Sequence, residues 1–342
     1  MKLRYRPYNI PFHFPFTISS GTKTHQPSLI VELEHMGCKG YGEAPAISYY
    51  DITVDKMISD IQRKKIFIEK YALTDPERYW HYLHHLFPEN NFLVCALDIA
   101  AWDLFGKLLN RPLHTVWGYD FEHAAITDYT IGIDSIAKML EKMKAKPWPV
   151  YKIKLGASDD IAIMTAIRKN TNAILRVDAN AGWTLEEALE KIPQLAALGV
   201  QFIEQPLAKD NWEGMKTLYT QSEVPLIADE SCVKEQDVER CYEHFHGINI
   251  KLTKCSGLTP ARRMIVAARK LDMKVMIGSM NETTIGSAAI AQLLPLVDYA
   301  DLDGPLLLAE DIASGLVYDE GKVMLSGRPG LGIQLLSTDK FI

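Results

Sequence analysis

Apolar and polar positions follow two different rhythms along this chain, and the change falls near residue 125. Beyond it, short β-branched or apolar runs recur at 127–131, 150–155, 174–177, 201–203, 226–228, 247–252, 274–277 and 297–302, separated by longer stretches of helical spacing. From the second run onward, the closing polar residue falls at Lys154, Asp178, Glu204, Asp229, Lys251, Ser279 and Asp301. Those intervals of about 22–28 residues are the return length of a strand-plus-helix unit feeding a parallel sheet. Eight such units predict an α/β fold closed into a TIM-type barrel rather than an open doubly wound sheet. Upstream, 29–33 and 40–42 read as β runs flanking the Met36-Gly37 turn. Helical stretches follow at 53–71, 76–86 and 92–109, the last repeating Ala96, Ala100, Leu104 and Leu108 and stopping at Asn110. Segments 17–27 and 46–53 read as loops, the first for its Ser, Thr and Gly content. The turn-rich string from Gly327 to Gly332 leaves the barrel rhythm and is expected to return to the N-terminal part.

Composition narrows the class without naming a chemistry. With 342 residues, 47% of them hydrophobic and 23% charged, the chain is an ordinary globular protein of about two domains. Its net charge of -6 speaks against a broad basic face for nucleic acid. No apolar stretch reaches the ~20 residues of a membrane helix, and the best, 92–102, is broken by Asp98. Basic residues at the N-terminus have no apolar signal core behind them. Five cysteines, odd in number and without a CxxC pair, point to a reducing, cytoplasmic setting.

Active residues of parallel barrels sit at the C-terminal strand ends. Here three acids follow one another at that position, Asp178, Glu204 and Asp229. Converging carboxylates repel unless a cation lies between them, and an all-oxygen set suits a hard ion, Mg²⁺ first and Mn²⁺ second. Lysines flank the acids: Lys152 and Lys154 share a strand face one unit earlier, and Lys251 shares its face with Asn249 one unit later. A lysine pointing into a barrel is costly unless it neutralises or reacts with something. Lys154 and Lys251, on opposite flanks, suit a pair of acid/base groups, and a nearby second cation is expected to lower an ammonium pKa toward working pH. A metal and two opposed lysines suit removal of a proton α to a carboxylate through an enediolate, with return to the other face.

The order Lys-x-Lys, Asp, Glu, Asp, Lys resembles the enolase superfamily, muconate-lactonizing subgroup. The matching strings are Lys152-Ile153-Lys154, Val177-Asp178-Ala179-Asn180, Ile203-Glu204-Gln205-Pro206, Ala228-Asp229-Glu230-Ser231 and Asn249-Ile250-Lys251-Leu252. Gly42-Glu43-Ala44-Pro45, the run Ala101 to Lys107 and Pro329-Gly330-Leu331-Gly332 extend the likeness over nearly the whole chain. The resemblance implies a modified (β/α)7β barrel at 124–317 and an N-terminal α+β capping domain at 1–123, completed by the tail 318–342. It also implies Asp178, Glu204 and Asp229 as Mg²⁺ ligands, Lys154 and Lys251 as the catalytic pair, and Asn180 beside the ligands.

Substrate class rests on a separate string. Asp301 and Asp303, two residues apart, share a face and would receive an ammonium group; this Asp-x-Asp is similar to the motif of dipeptide epimerases. Ser279, Met280 and Asn281 resemble that group's seventh strand end, with Asn281 where an aliphatic residue is usual. The implied substrate contacts are Lys152, Thr130, Ser279, Met280, Asn281, Asp301 and Asp303. In relatives acting on Ala-Glu dipeptides a loop Arg holds the Glu; alignment puts Gly21 there, with Lys23 nearby as a weaker bidentate partner. The expectation is therefore a Mg²⁺-dependent isomerase, a dipeptide epimerase whose dipeptide has a small or apolar second residue. Its partner is that small molecule, with no nucleic acid and no membrane, and self-association into a homo-oligomer is compatible with the sequence. The alternatives are Ala-Glu specificity, o-succinylbenzoate synthesis, N-succinylamino acid racemisation or cycloisomerisation. A synthase or cycloisomerase substrate has no free ammonium and leaves Asp301 and Asp303 without a purpose.

Overall fold

The computed structural model describes every residue except 19–20, 157–158 and 337–340. The chain opens with a three-stranded antiparallel sheet, β1 (Lys2–Ile18), β2 (Gly21–His35) and β3 (Cys38–Pro45), in that order. The described residues of segment 17–27 therefore belong to strands rather than to a loop. Phe16 pairs with Lys23 and Thr17 with Thr22 near the end of a long hairpin, and the two threonine hydroxyls lie 2.9 Å apart. Thr22, Thr24 and His25 are exposed and the segment carries no apolar alternation, so only the β-branched threonines could have marked it. β1 carries Pro7, Pro11 and Pro15, which an edge strand tolerates because half its amides need no partner.

Helices α1 (Val54–Lys70), α2 (Pro76–Leu86) and α3 (Asn91–Leu108) fall where the periodicity predicts. Thr53, Asp75 and Asn90 cap them, each side chain accepting a first-turn amide. Asn110, in the left-handed region at φ 49°, follows the end of α3. α3 is buried almost throughout because it lies between the sheet and the barrel. Gly40 and Gly42 permit the sheet contact: a Cβ at either would run into the carbonyls of Ala100 or Ala96.

Eight parallel strands follow: β4 (Tyr129–Ile131), β5 (Val150–Lys154), β6 (Ile174–Asp178), β7 (Val200–Glu204), β8 (Leu226–Ala228), β9 (Gly247–Lys251), β10 (Lys274–Gly278) and β11 (Tyr299–Asp301). Each pairs with the next, and a parallel bridge from Thr127 to Ala300 brings the last against the first, leaving the barrel nearly closed. A one-turn helix, Gly304–Leu307, follows β11 where an eighth full helix would stand. Inside the barrel Phe202, Ile227, Met276 and Tyr299 pack together, with the Arg176 guanidinium 5.2 Å from the centres of both the Phe202 and Tyr299 rings.

The tail returns to the N-terminal region. Leu331 N donates to Asp103 Oδ1 (2.8 Å), Leu113 N to Gly330 O (2.8 Å) and Ile342 N to Tyr5 O (3.0 Å). The sheet and barrel are joined directly as well: Glu43 of β3 accepts from Thr283 and Gly286, and Asp98 of α3 accepts from Thr259.

Candidate active site

Strand alternation sends every second residue inward, so Lys152, Lys154, Asp178, Glu204, Asn249 and Lys251 all face the barrel axis, with Asp229 one residue beyond β8. Carboxylate oxygens of Asp178, Glu204 and Asp229 lie within 4.8 Å of one another, and all three side chains are buried. Lys154 Nζ is 2.6 Å from Asp178 Oδ2, and Lys251 Nζ is 2.7 Å from Asp229 Oδ2, so the two lysines hold different members of the triad. Asn249 donates to Glu204 Oε1 (2.7 Å), and Asn180 N donates to Asp178 Oδ1 (2.9 Å).

Lys152 departs from expectation. Proposed from the sequence as a substrate contact, it does not line the cleft. Its Nζ lies 3.1 Å from Asp178 Oδ2, 2.7 Å from Glu204 Oε2 and 2.7 Å from Asp301 Oδ2. One buried ammonium thus ties two groups of acids together.

The electrostatics also correct an expectation. Burial lowers the Lys251 ammonium, but the Asp229 and Glu204 carboxylates outweigh it and hold the pKa above its ordinary value. Lys152 is raised likewise, burial being overcome by Asp301, Glu204 and Asp178. For Lys251, contact with Asp229 and Glu204 exceeds the opposing influence of the Lys152 ammonium. Burial pushes Asp178 up, yet Lys154 and Lys152 bring it down to about 2. Asp229 is held below the usual range by Lys251 and Lys254 against its burial. Glu204 is raised to about 7 by burial and by Asp178.

The triad fits a hard divalent cation. Its donors are all carboxylate oxygens from three strands, and Glu204 Oε2 is buried with no hydrogen bond, its Lys152 contact being an ion pair only.

A cleft of about 920 Å³ opens above these residues. From the barrel it is lined by Lys154, Asp229, Glu230, Lys251, Ser279, Met280, Asn281, Thr130, Asn180, Asp301 and Asp303; from the N-terminal part by Phe16, Lys23, Ile47, Tyr49 and Tyr50. Gly21 is exposed and does not line it. Lys23 does; burial lowers its ammonium pKa, and among the described residues it has no ion-pair partner. Asn281 sits at φ 65°, a left-handed position that Asn tolerates and a β-branched residue resists, which gives a backbone reason for the residue found there.

A second acid group forms across the barrel seam. Asp128, Asp301 and Asp303 also bring carboxylate oxygens within 4.8 Å. Asp303 Oδ2 accepts from Thr130 N (2.6 Å), and Arg176 binds Asp128 Oδ2 (2.9 Å). Burial and Asp301 raise Asp303 to about 7, whereas Lys152 overcomes burial to lower Asp301. Sequence reasoning missed Asp128, although it shares a strand face with Thr130. It also missed Lys254, which follows the predicted strand end Lys251 by three residues. Cys255 itself is buried and pushed up to about 12 by that burial.

A barrel with three acids on successive strand ends, lysines on both flanks and an antiparallel sheet packed against it defines an enolase-type protein. Residues 135–339 match the enolase C-terminal domain-like family, and residues 1–118 match the mandelate racemase / muconate lactonizing enzyme N-terminal domain. The chain belongs to the mandelate racemase / muconate lactonizing enzyme family of the enolase superfamily. It is similar to the L-Ala-D/L-amino acid epimerase of Flavobacterium johnsoniae, 48% identical over 336 residues, 98% of this chain and 100% of the relative. Among solved structures it resembles the L-Ala-D/L-Glu epimerase from Bacillus subtilis in a substrate-liganded complex: 30% identity, TM-score 0.92, covering 97% of this chain and 99% of that one. The dipeptide epimerase from Cytophaga hutchinsonii, complexed with Mg and D-Ala-L-Val, is 27% identical with a TM-score of 0.92, covering 98% and 96%.

Proposed function

We propose that this chain is a Mg²⁺-dependent dipeptide epimerase that inverts the α-carbon of the C-terminal residue by 1,1-proton transfer. The observation that carries the reading is one cleft lined by both Lys154 and Lys251, on different acids of the triad, and by the Asp301–Asp303 pair. Asp178, Glu204 and Asp229 hold the ion, with Mn²⁺ second by the same donor chemistry. When bound, the ion supplies charge stabilisation for the substrate carboxylate as the α-proton leaves. Lys154 and Lys251 act from opposite faces, one taking the α-proton as a neutral amine and the other donating one as an ammonium. Asp301 and Asp303 receive the N-terminal ammonium, and Thr130 N keeps the Asp303 carboxylate in place. Lys152 neutralises the acids beneath them. The 48%-identical epimerase and the dipeptide-bound structures support this reading over a synthase or cycloisomerase.

Ile47, Tyr49, Tyr50, Phe16 and Met280 give the cleft an apolar wall, which supports a small or apolar second residue. The same reading keeps residues 1–123 with 318–342 as a cap over a 124–317 barrel, and the five free thiols support a cytoplasmic setting. Incubation with a dipeptide library and Mg²⁺ in D₂O, scored by mass gain at the C-terminal residue, tests the activity. No exchange with any dipeptide overturns it. Kinetics on Ala-Ala, Ala-Val and Ala-Glu test the specificity, and much the highest kcat/KM on Ala-Glu overturns that part, since Lys23 would then be holding the acid.

A further inference from the structure

Lys254 is the buried lysine that the proposed chemistry does not use. It sits on the one-turn helix Leu252–Cys255 that follows β9 directly, and its side chain is 1% exposed. Its Nζ faces four oxygens: Asp229 O (2.5 Å), Asp229 Oδ1 (2.6 Å), Cys232 O (2.9 Å) and Asn249 O (3.2 Å). An ammonium has three protons, so every one is directed to these partners. Three of the four are backbone carbonyls, of Asp229 and Cys232 in the turn after β8 and of Asn249 within β9, and they cannot follow a moving side chain. Lys254 is thus anchored, and it does not line the cleft.

The Asp229 carboxylate is divided between two lysines. Oδ1 belongs to Lys254, and Oδ2 lies 2.7 Å from Lys251 Nζ, which does line the cleft. Asp178, the partner of Lys154, has a different arrangement. Its Oδ1 takes the Asn180 amide, and its Oδ2 is shared by Lys154 and Lys152. The two proposed proton carriers therefore rest on independent supports.

We propose that Lys254 is a positioning residue for one face of the reaction: by pinning Asp229 Oδ1 to the backbone of β8 and β9, it sets where Oδ2 holds Lys251. Loss of that pin leaves Asp229 held only by the ion and by Lys251 itself, so Oδ2 shifts and Lys251 moves with it. Lys154 keeps its own support. The inference rests on the two-lysine reading above.

The test is face-resolved exchange. The L,L and L,D epimers of a dipeptide turned over by the wild-type protein are incubated separately in D₂O with Mg²⁺, and initial α-proton loss is followed by NMR. Lys251→Ala identifies the epimer whose exchange needs Lys251. In Lys254→Met, exchange of that epimer is expected to fall about 10–100-fold, as for other supports of reactive groups, while the opposite epimer keeps its wild-type rate. Lys254→Gln, whose amide can still donate to Asp229 Oδ1, is expected to lie between the two. Mg²⁺ binding, measured by calorimetry, is retained in both variants. Equal loss on both faces, unchanged exchange on both, loss of Mg²⁺ binding together with both rates, or failure of both variants to fold would each overturn the proposal. Wild-type protein that exchanges no dipeptide sinks the underlying reading instead, and the inference with it.

Discussion

Two groups of three carboxylates stand at the mouth of this barrel, Asp178–Glu204–Asp229 and Asp128–Asp301–Asp303, and each brings its oxygens within 4.8 Å. Their surroundings differ. The first is in contact with four lysines, 152, 154, 251 and 254. The second has Lys152 on Asp301, Arg176 on Asp128 and a backbone amide on Asp303; burial and Asp301 raise Asp303 to about 7 against that amide, while Lys154 and Lys152 overcome burial to bring Asp178 down to about 2. Within each group the acids part in the same way: Asp178 and Asp301, which share Lys152, are lowered, whereas Glu204 and Asp303 are raised to about 7 by burial and a neighbouring carboxylate. The difference between the groups lies in the number of opposing charges, and in the proposed reading the first takes the metal beside the two lysines and the second the cationic substrate end. Lys152 belongs to both and holds them at a fixed separation.

The largest expected effect separates the groups most sharply. Lys154→Ala and Lys251→Ala should each lower kcat for epimerisation by at least the ~10²–10⁴-fold of a lost acid/base group, in both directions, as read by chiral chromatography. Full turnover in either would defeat the two-base scheme. Next, Glu204→Gln should weaken Mg²⁺ binding beyond calorimetric detection, whereas Asp303→Asn should leave it at the wild-type value; equal losses would erase the distinction between the groups. Third, Asp301→Asn removes a charge-assisted contact of about 1.5–3 kcal/mol, so KM for a dipeptide should rise roughly 10–100-fold with kcat nearly unchanged. An N-acetylated dipeptide, which has no ammonium, should not show that difference.

Smaller effects follow from pH. Asp303, raised to about 7, must be ionised to receive an ammonium, so kcat/KM should climb as pH rises through about 7. Asp303→Asn should flatten that limb. Glu43 and Asp98, buried where the N-terminal part meets the barrel, are likewise raised to about 7, burial outweighing their hydrogen bonds. A carboxyl raised on folding stabilises most below its unfolded pKa, and that stabilisation is lost as pH rises through the folded value. Thermal melts should therefore show Tm declining between about pH 5 and 8, less steeply in Glu43→Gln. A Tm slope identical to wild type would remove Glu43 from this account.

Much of the architecture could be read before any coordinates. The eight strand positions and the helical stretches of α1–α3 are local matters of period over a few residues. The strand pairing of Phe16 and Thr17 with Lys23 and Thr22 was not legible, because exposed polar residues such as Thr22, Thr24 and His25 carry no apolar alternation. Asp128 was not legible either: it meets Asp301 only where β4 and β11 close the ring. Lys152 and Lys251 could be placed inward by alternation, but the direction of their pKa shifts depended on how many carboxylates reached each ammonium.

The sequence by itself determined, to within one residue, where each strand closes, since one strand-plus-helix unit returns after a nearly constant number of residues and side-chain direction alternates. The family likeness rests on those positions. Only the tertiary structure decided how the charges were shared: Lys152 across two acid groups, Asp229 between Lys251 and Lys254, and Asp303 against an amide 173 residues away. Such partnerships depend on ring closure and on side-chain rotamers inside a low-dielectric interior, where an ångström changes the interaction and no local pattern records it.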